Sequence, residues 1–239
     1  MGWVYPQILP HPPRAGYLSP MSDPAAFSPP PGAQSAPAAL RNRDPILAVL
    51  RHSLPERGLV LEIAAGTGEH AVHCAAALPG LDWQPADQDE AALASITAWR
   101  SGAALPNLRA PVQLDAAHPE SWPIERADAI VNINMIHISP WAATQGLMAG
   151  AGRLLPPGGV LYLYGPYIEP GVETAPSNRA FDESLRARNP AWGLRRLDEV
   201  ADLAAQHGLG LDQRIAMPAN NLSLVFRRAP HVGAAKATP

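Results

Sequence analysis

The chain has 239 residues, of which 47% are hydrophobic and 16% charged, which predicts one folded domain with a sizeable core. A net charge of −3 excludes the basic excess with which proteins neutralise nucleic-acid phosphates, and no apolar run is long enough to span a bilayer. The single cysteine, Cys74, excludes an internal disulfide and a cysteine-based zinc site. We therefore expect a cytoplasmic protein without a nucleic-acid or membrane partner.

The first 37 residues are rich in proline, alanine and serine, a composition that builds neither helix nor sheet. We expect residues 1–37 to be disordered, residues 38–229 to form one domain, and residues 230–239 to be a flexible tail. Asp44 followed by Pro45 predicts the start of a helix, with the aspartate as N-cap and the proline at the first helical position.

Strands and helices alternate from residue 59 onward. Short apolar runs predict buried strands over 59–64, 129–136 and 160–164, and further strands are predicted over 81–87 and up to Asp115. Helices are predicted over 69–78, 90–100, 140–155 and 197–207, and a tight turn joins two final strands, 211–217 and 222–227. This order predicts an α/β fold with a doubly wound, seven-stranded, mostly parallel sheet and an antiparallel C-terminal hairpin.

The turn after the first predicted strand contains glycines at two alternate positions. Residues 61–70 read LEIAAGTGEH, in which Gly66 and Gly68 let the backbone approach a nucleotide closely. The third glycine of a dinucleotide-binding turn is missing, and Glu62 would repel a pyrophosphate. S-adenosylmethionine (SAM) has no phosphate and carries an ammonium group that Glu62 can receive. The turn, including Ala64, therefore favours SAM as the cofactor.

Polar residues at the ends of the next three strands extend this cofactor site. Asp87 ends the second strand, where a carboxylate can accept hydrogen bonds from both ribose hydroxyls, and Gln88 follows it. Asp115 ends the third strand, where its carboxylate can accept a hydrogen bond from the adenine amino group. Asn134 lies near the end of the fourth strand. Each signal alone is weak. Their occurrence at successive strand ends is much more specific, because those ends meet at one edge of the sheet.

His137 closes the fourth strand above the predicted cofactor, where it can orient or deprotonate an oxygen or nitrogen acceptor. A histidine there can titrate near neutrality. A packed, hydrogen-bonded histidine without a catalytic role is the alternative. The segment lacks the Asn-Pro-Pro-aromatic motif of methyltransferases that act on DNA bases and protein amides, which argues further against DNA as a substrate.

An irregular stretch, residues 165–193, is predicted to contain one helix over 178–188 and to form the lid and pocket for a small-molecule acceptor. A solvated surface loop is the alternative for this stretch. For the two asparagines of the final hairpin, turn formation explains their presence as well as acceptor contact does. The predicted acceptor-binding residues, from this stretch and its surroundings, are His70, Tyr164, Tyr167, Asn178, Asp182, Asn220 and Asn221.

His70, His73 and Cys74 share one face of the first predicted helix, at a spacing that can ligate a metal. That helix packs on the sheet in this fold, which favours Cys74 as a core residue. We therefore predict no metal site.

Several longer segments resemble one known family. They are residues 61–70, WQPAD at 83–87, NMIHISPW at 134–141, LYGPY at 163–167, SN and FD at 177–178 and 181–182, and MPANN at 217–221. Together they resemble the methyltransferase-like protein 26 family over residues 41–227. The resemblance implies the fold of class I SAM-dependent methyltransferases and SAM as cofactor, whereas the family's methyl acceptor is unassigned.

Two other functions remain open at this point. One is an NAD-dependent oxidoreductase on a similar sheet, which the missing third glycine, Glu62 and the antiparallel hairpin disfavour. The other is a SAM-binding or scaffold protein without catalytic activity.

Overall fold

A computed structural model describes residues 29–230; the predictions for residues 1–28 and 231–239 lie outside the described residues. The helices are α1 (Pro37–Ser53), α2 (Glu69–Ala77), α3 (Glu90–Ala103), α4 (Trp141–Leu154), α5 (Pro176–Arg188) and α6 (Leu197–Gln206). The strands are β1 (Gly58–Ile63), β2 (Leu81–Asp87), β3 (Val112–Gln113), β4 (Ala129–Ile133), β5 (Val160–Gly165), β6 (Tyr167–Ile168), β7 (Arg195–Arg196), β8 (Leu209–Met217) and β9 (Asn221–Arg228).

Seven strands form one sheet in the order β3-β2-β1-β4-β5-β9-β8, and β6 pairs with β7 in a separate two-stranded sheet. Neighbouring strands from β3 to β5 are parallel, while β9 runs antiparallel to both β5 and β8. The predicted fold class is therefore confirmed. Because the chain reverses its direction of winding between β1 and β4, their carboxyl ends border the crevice where such sheets bind ligands.

The two faces of the sheet are covered by different helices. Leu61 and Ile63 of β1 face a core that includes buried residues of α4 and α6. Val60 faces a second core that includes buried residues of α1, α2 and α3. Side chains that alternate along one strand therefore reach opposite helical layers, as both-face burial requires. No helix within residues 29–230 is long and apolar enough to cross a membrane.

The first helix begins earlier than predicted. α1 starts at Pro37, and Pro45 lies in its interior, so the prediction that Asp44 and Pro45 start the helix was wrong. A proline inside a helix removes one backbone hydrogen bond. The buried side chains of Ile46, Leu47 and Leu50 pack into the second core and compensate for this loss.

Residues 29–36 fall within the segment predicted to be disordered, but the structure places them against the domain. The Gln34 and Ala36 amides donate hydrogen bonds to side chains of α3 and α2, respectively. Composition does not reveal this because both partners, Ser95 and Glu69, are distant in sequence.

The fourth strand is shorter than predicted. β4 ends at Ile133, Asn134 adopts a left-handed conformation with φ 66°, and Met135–His137 forms one turn of 3₁₀ helix. His137 therefore lies on a turn that leads away from the strand, not at the strand end.

Candidate active site

The loop after β1 has three residues with positive φ: Ala64 at 57°, Gly66 at 56° and Gly68 at 90°. A Cβ added to Gly66 would meet no atom within 4 Å, so this residue faces open space that a ligand can occupy. A Cβ on Gly68 would lie 3.0 Å from Ile96, so this glycine allows α3 to pack closely. The two glycines thus serve different purposes, and Gly66 borders the ligand side.

Asp87, at the end of β2, holds this loop in place. Its carboxylate accepts hydrogen bonds from the Gly66 amide (2.9 Å) and the Asp89 amide (3.0 Å), and the residue is buried. Each carboxylate oxygen has a second lone pair, so Asp87 can still accept hydroxyl donors from a ligand. Gln88, the next residue, is exposed at the rim.

Glu62 lies in β1 below the loop and is only 1% exposed. The Trp83 indole donates a 2.6 Å hydrogen bond to its carboxyl group. Burial raises the pKa of Glu62 to about 7; the hydrogen bond from Trp83 opposes this rise and the charge of Asp87 adds to it. A carboxyl group in such a position gains from a cationic partner, because the partner offsets the cost of its buried charge.

Asp115 lies in the turn after β3, and its side chain is 43% exposed. One carboxylate oxygen accepts the Ala117 amide (2.8 Å), and the carboxylate stays accessible at the edge of the sheet. Asn134 lies at the end of β4 and donates its backbone amide to the Tyr164 carbonyl (2.8 Å). Its side-chain amide has no hydrogen bond to any of residues 29–230, and it lies near Gly165 at the end of β5.

His137 is buried next to Gly165 and Phe181. A Cβ added to Gly165 would lie 2.8 Å from Cε1 of His137, and the Phe181 ring packs edge-on at a centroid distance of 5.7 Å. Within the described part of the chain, neither ring nitrogen of His137 has a hydrogen-bond partner. Burial, with a contribution from Arg195, lowers the pKa of His137 to about 4. The expectation that it titrates near neutrality was therefore wrong, and the ring is neutral at physiological pH.

The predicted acceptor-binding residues fall into separate groups. His70 and Tyr164 lie on the α1 side of the sheet, where Asn42 joins them. Nε2 of His70 is 2.8 Å from the Asn42 amide oxygen. Burial raises the pKa of Tyr164, and a hydrogen bond with the Asn42 side chain opposes that rise. Burial also lowers the pKa of His70 to about 4, so this cluster is neutral.

A second group lies between α5 and the β8–β9 turn. Tyr167, Asn178, Asn220 and Asn221 line a cavity of about 200 Å³. Asn178 donates to the Asn220 carbonyl (2.9 Å) and Asn221 donates to the Pro218 carbonyl (3.0 Å), so both amides stabilise the turn. Tyr167 lines this cavity, and its hydroxyl has no hydrogen-bond partner among residues 29–230.

Asp182, also predicted to bind the acceptor, belongs to neither group. Its carboxylate accepts the Leu194 amide (2.7 Å) and pairs with Arg186 one turn along α5 (3.0 Å). These bonds fix the segment that follows α5, and they assign Asp182 a structural role.

The face of α2 that contains His70, His73 and Cys74 does not gather them around a common point. His73 pairs with Asp44 at 3.0 Å, whereas Cys74 is fully buried in the core. Within residues 29–230, no group of three or more His, Cys, Asp or Glu side chains is placed to hold a metal ion.

Comparison with known families places this geometry in context. The sequence matches the family described as "Protein of unknown function (DUF938)" over residues 33–228. The chain belongs to this family. The match begins at residue 33, so it includes residues 33–36 ahead of α1.

Several solved structures with a similar fold are methyltransferases. An O-methyltransferase family protein from Burkholderia thailandensis has a TM-score of 0.69 and 16% identity, covering 81% of this chain and 58% of its own. Human N-acetylserotonin methyltransferase in complex with SAM has a TM-score of 0.64 and 13% identity, and the match covers 81% of this chain and 53% of that protein. The chain thus spans little more than half the length of these two proteins. A putative sarcosine dimethylglycine methyltransferase from Galdieria sulphuraria has a TM-score of 0.63 and 14% identity, and the match covers 83% of this chain and 92% of that protein. At these identities the similarity shows the fold.

Sequence reasoning assigned no role to four residues at the candidate site: Asn42, Glu69, Ser95 and Phe181. Glu69 is the first residue of α2 and is 1% exposed, and an acidic residue directly after a glycine loop is a signal that could have been used. The other three reach the site from α1, α3 and α5, and no local pattern distinguishes them from surface residues.

Proposed function

We propose that this DUF938 protein is a SAM-dependent methyltransferase that acts on an oxygen or nitrogen atom of a small molecule. The observation that supports this best is the open space at Gly66 beside Asp87, on a sheet with the methyltransferase fold whose β3 is followed by Asp115. We also propose that the DUF938 chain is related to the methyltransferase-like protein 26 family, on the motifs given above.

The residues at this edge fit the chemical groups of SAM. Asp87 has free lone pairs for ribose hydroxyls, Asp115 is accessible for the adenine amino group, and Glu62 supplies a counter-charge for the ammonium. The backbone of Ala64, Gly66 and Gly68 would also contact SAM. Gln88 and Asn134 would lie on either side of the cofactor. When bound, SAM supplies a methyl group activated by a sulfonium.

The start of α2 argues against a dinucleotide. A pyrophosphate would need the free amides at that helix N-terminus. Instead, the buried carboxylate of Glu69 lies there and accepts hydrogen bonds from Ser35 (2.8 Å) and Ala36 (2.6 Å). A second negative group at this position would be repelled.

On the acceptor side, His137 is the group proposed to orient the reacting atom. Its neutral ring has no protein hydrogen bond among residues 29–230, so it can accept one from an acceptor hydroxyl or amine. Tyr167, Asn178, Asn220 and Asn221 at the 200 Å³ cavity, and His70 with Tyr164 on the α1 side, are proposed to contact the acceptor. Methyl transfer needs mainly positioning and exclusion of water, which buried neutral groups provide.

Binding measurements test the cofactor assignment. We expect S-adenosylhomocysteine (SAH) to bind the full chain in calorimetric titration and NADH not to bind. Asp87→Ala should weaken SAH binding at least ~30-fold, because a charged hydrogen-bonding group is lost. Asp82→Asn removes an exposed carboxylate near the start of the same strand and should have little effect. Binding of NADH in place of SAH would refute the assignment.

Turnover separates an enzyme from a SAM-binding scaffold. The protein is incubated with methyl-labelled SAM and a small-molecule extract, and labelled products are identified by mass spectrometry. His137→Ala should lower turnover about 100-fold while the SAH dissociation constant stays unchanged. Unchanged turnover in this variant would remove His137 from the mechanism, and absence of any labelled product would favour the scaffold.

A further inference from the structure

Residues 33–36, which we call the N-terminal strap, are tied to the cofactor loop through Glu69. The carboxylate of Glu69 accepts hydrogen bonds from the Ser35 hydroxyl (2.8 Å) and the Ala36 amide (2.6 Å). It also accepts one from the hydroxyl of Thr67 (3.1 Å), which lies between the two loop glycines. One buried carboxylate thus joins the strap to the loop.

A second link runs through Ser95 of α3. Its hydroxyl accepts a hydrogen bond from the Gln34 amide (2.8 Å) and donates one to the Thr67 carbonyl (2.7 Å). The Trp99 indole, one turn along α3, donates to the Gln34 carbonyl (2.9 Å). The strap therefore reaches Thr67 by two routes, one to its hydroxyl and one to its carbonyl.

The burial of Glu69 makes this connection energetically important. Glu69 is 1% exposed, and a buried carboxylate is stable only when donors satisfy it. Two of the donors named above come from the strap and one from the loop. If the strap moves away, Glu69 must find water or other donors, and the loop loses its fixed neighbour at Thr67.

We propose that Glu69 and Ser95 are positioning residues that couple docking of the N-terminal strap to the shape of the cofactor loop. This inference rests on the proposed function, since the loop is taken to bind SAM. Coupling between two sites is reciprocal, so the docked strap favours cofactor binding and the bound cofactor holds the strap in place. Glu69 and Ser95 are each 1% exposed and each is hydrogen-bonded to Thr67, so both act through Thr67.

Serine variants of the full chain test the coupling. Ser35→Ala removes one strap donor to Glu69, and Ser95→Ala removes both bonds of the second link. Ser35→Ala therefore loses one hydrogen bond and Ser95→Ala loses two. In each variant SAH binding should weaken ~3- to 10-fold. Ser101→Ala, on the same helix, removes a bond from an exposed serine to the Thr97 carbonyl and should leave SAH binding unchanged.

Hydrogen exchange supplies a measurement that a purely structural role would not change. Saturating SAH should slow exchange of the Gln34 and Ala36 amides in the wild type, and this protection should shrink in Ser95→Ala. Without any ligand, Ser35→Ala should speed exchange of the Gly66 and Gly68 amides but not of the β5 amides. The ligand-free arm tests the strap even if SAH does not bind, in which case only the proposed function fails. Loop exchange and SAH affinity that both stay at wild-type values in Ser35→Ala would overturn the coupling.

Discussion

Replacement of Glu62 by glutamine should stabilise the protein at alkaline pH. Burial is the main reason that the pKa of Glu62 rises from 4.5 to about 7 in the folded state. A carboxyl group whose folded pKa is raised contributes its full stability only below its unfolded pKa. That contribution is lost as the pH rises through the folded pKa. The wild type should therefore become less stable, relative to the variant, between about pH 4.5 and pH 7.

The size of the effect follows from the two pKa values. A rise from 4.5 to about 7 corresponds to about 3 kcal/mol of unfolding free energy once the group is ionised in both states. Glutamine is uncharged and keeps a carbonyl oxygen that can accept the Trp83 indole hydrogen bond. The stability advantage of the variant should grow by about 2 to 3 kcal/mol from pH 5 to pH 8.5.

Urea unfolding of both proteins across this pH range is the assay. Other titrating groups, including His70 and His137, are common to both proteins and cancel in the difference. An equal difference in unfolding free energy at pH 5 and at pH 8.5 would refute the assignment of the raised pKa to a buried Glu62. The same variant should bind SAH more weakly, because the ammonium loses its counter-charge. Stability and cofactor binding would then make opposite demands on this position.

Two further substitutions test the geometry of the site. Gly165→Ala places a Cβ 2.8 Å from the His137 ring, so the ring must move; turnover should fall at least ~10-fold with SAH affinity unchanged. Retained turnover would show that the position of His137 is not critical. Ala64 has a positive φ of 57°. Ala64→Gly should change the unfolding free energy by less than about 1 kcal/mol. Ala64→Val should lower the unfolding free energy by about 2 kcal/mol and weaken SAH binding. Equal melting temperatures for the two Ala64 variants would contradict the left-handed conformation.

Local patterns in the sequence were enough to predict the sheet and its ligand-binding edge. The apolar runs that became β1 and β5 are short, as strands buried on both faces are. Gly66, Asp87 and Asp115 lie at or just after the ends of predicted strands, so their placement at the carboxyl edge required only the rule that parallel strands end together. These features depend on residues close together in the chain.

The tertiary structure alone decided the chemical state of the site. The burial that lowers the pKa of His137 and raises that of Glu62 comes from packing against distant segments. Composition therefore does not predict these pKa shifts. In the same way, the hydrogen bonds of Ser95 to residues 34 and 67 join parts of the chain that only folding brings together. Short-range periodicity therefore determined where the site lies, while long-range burial determined which of its groups carry charge and what holds its loop.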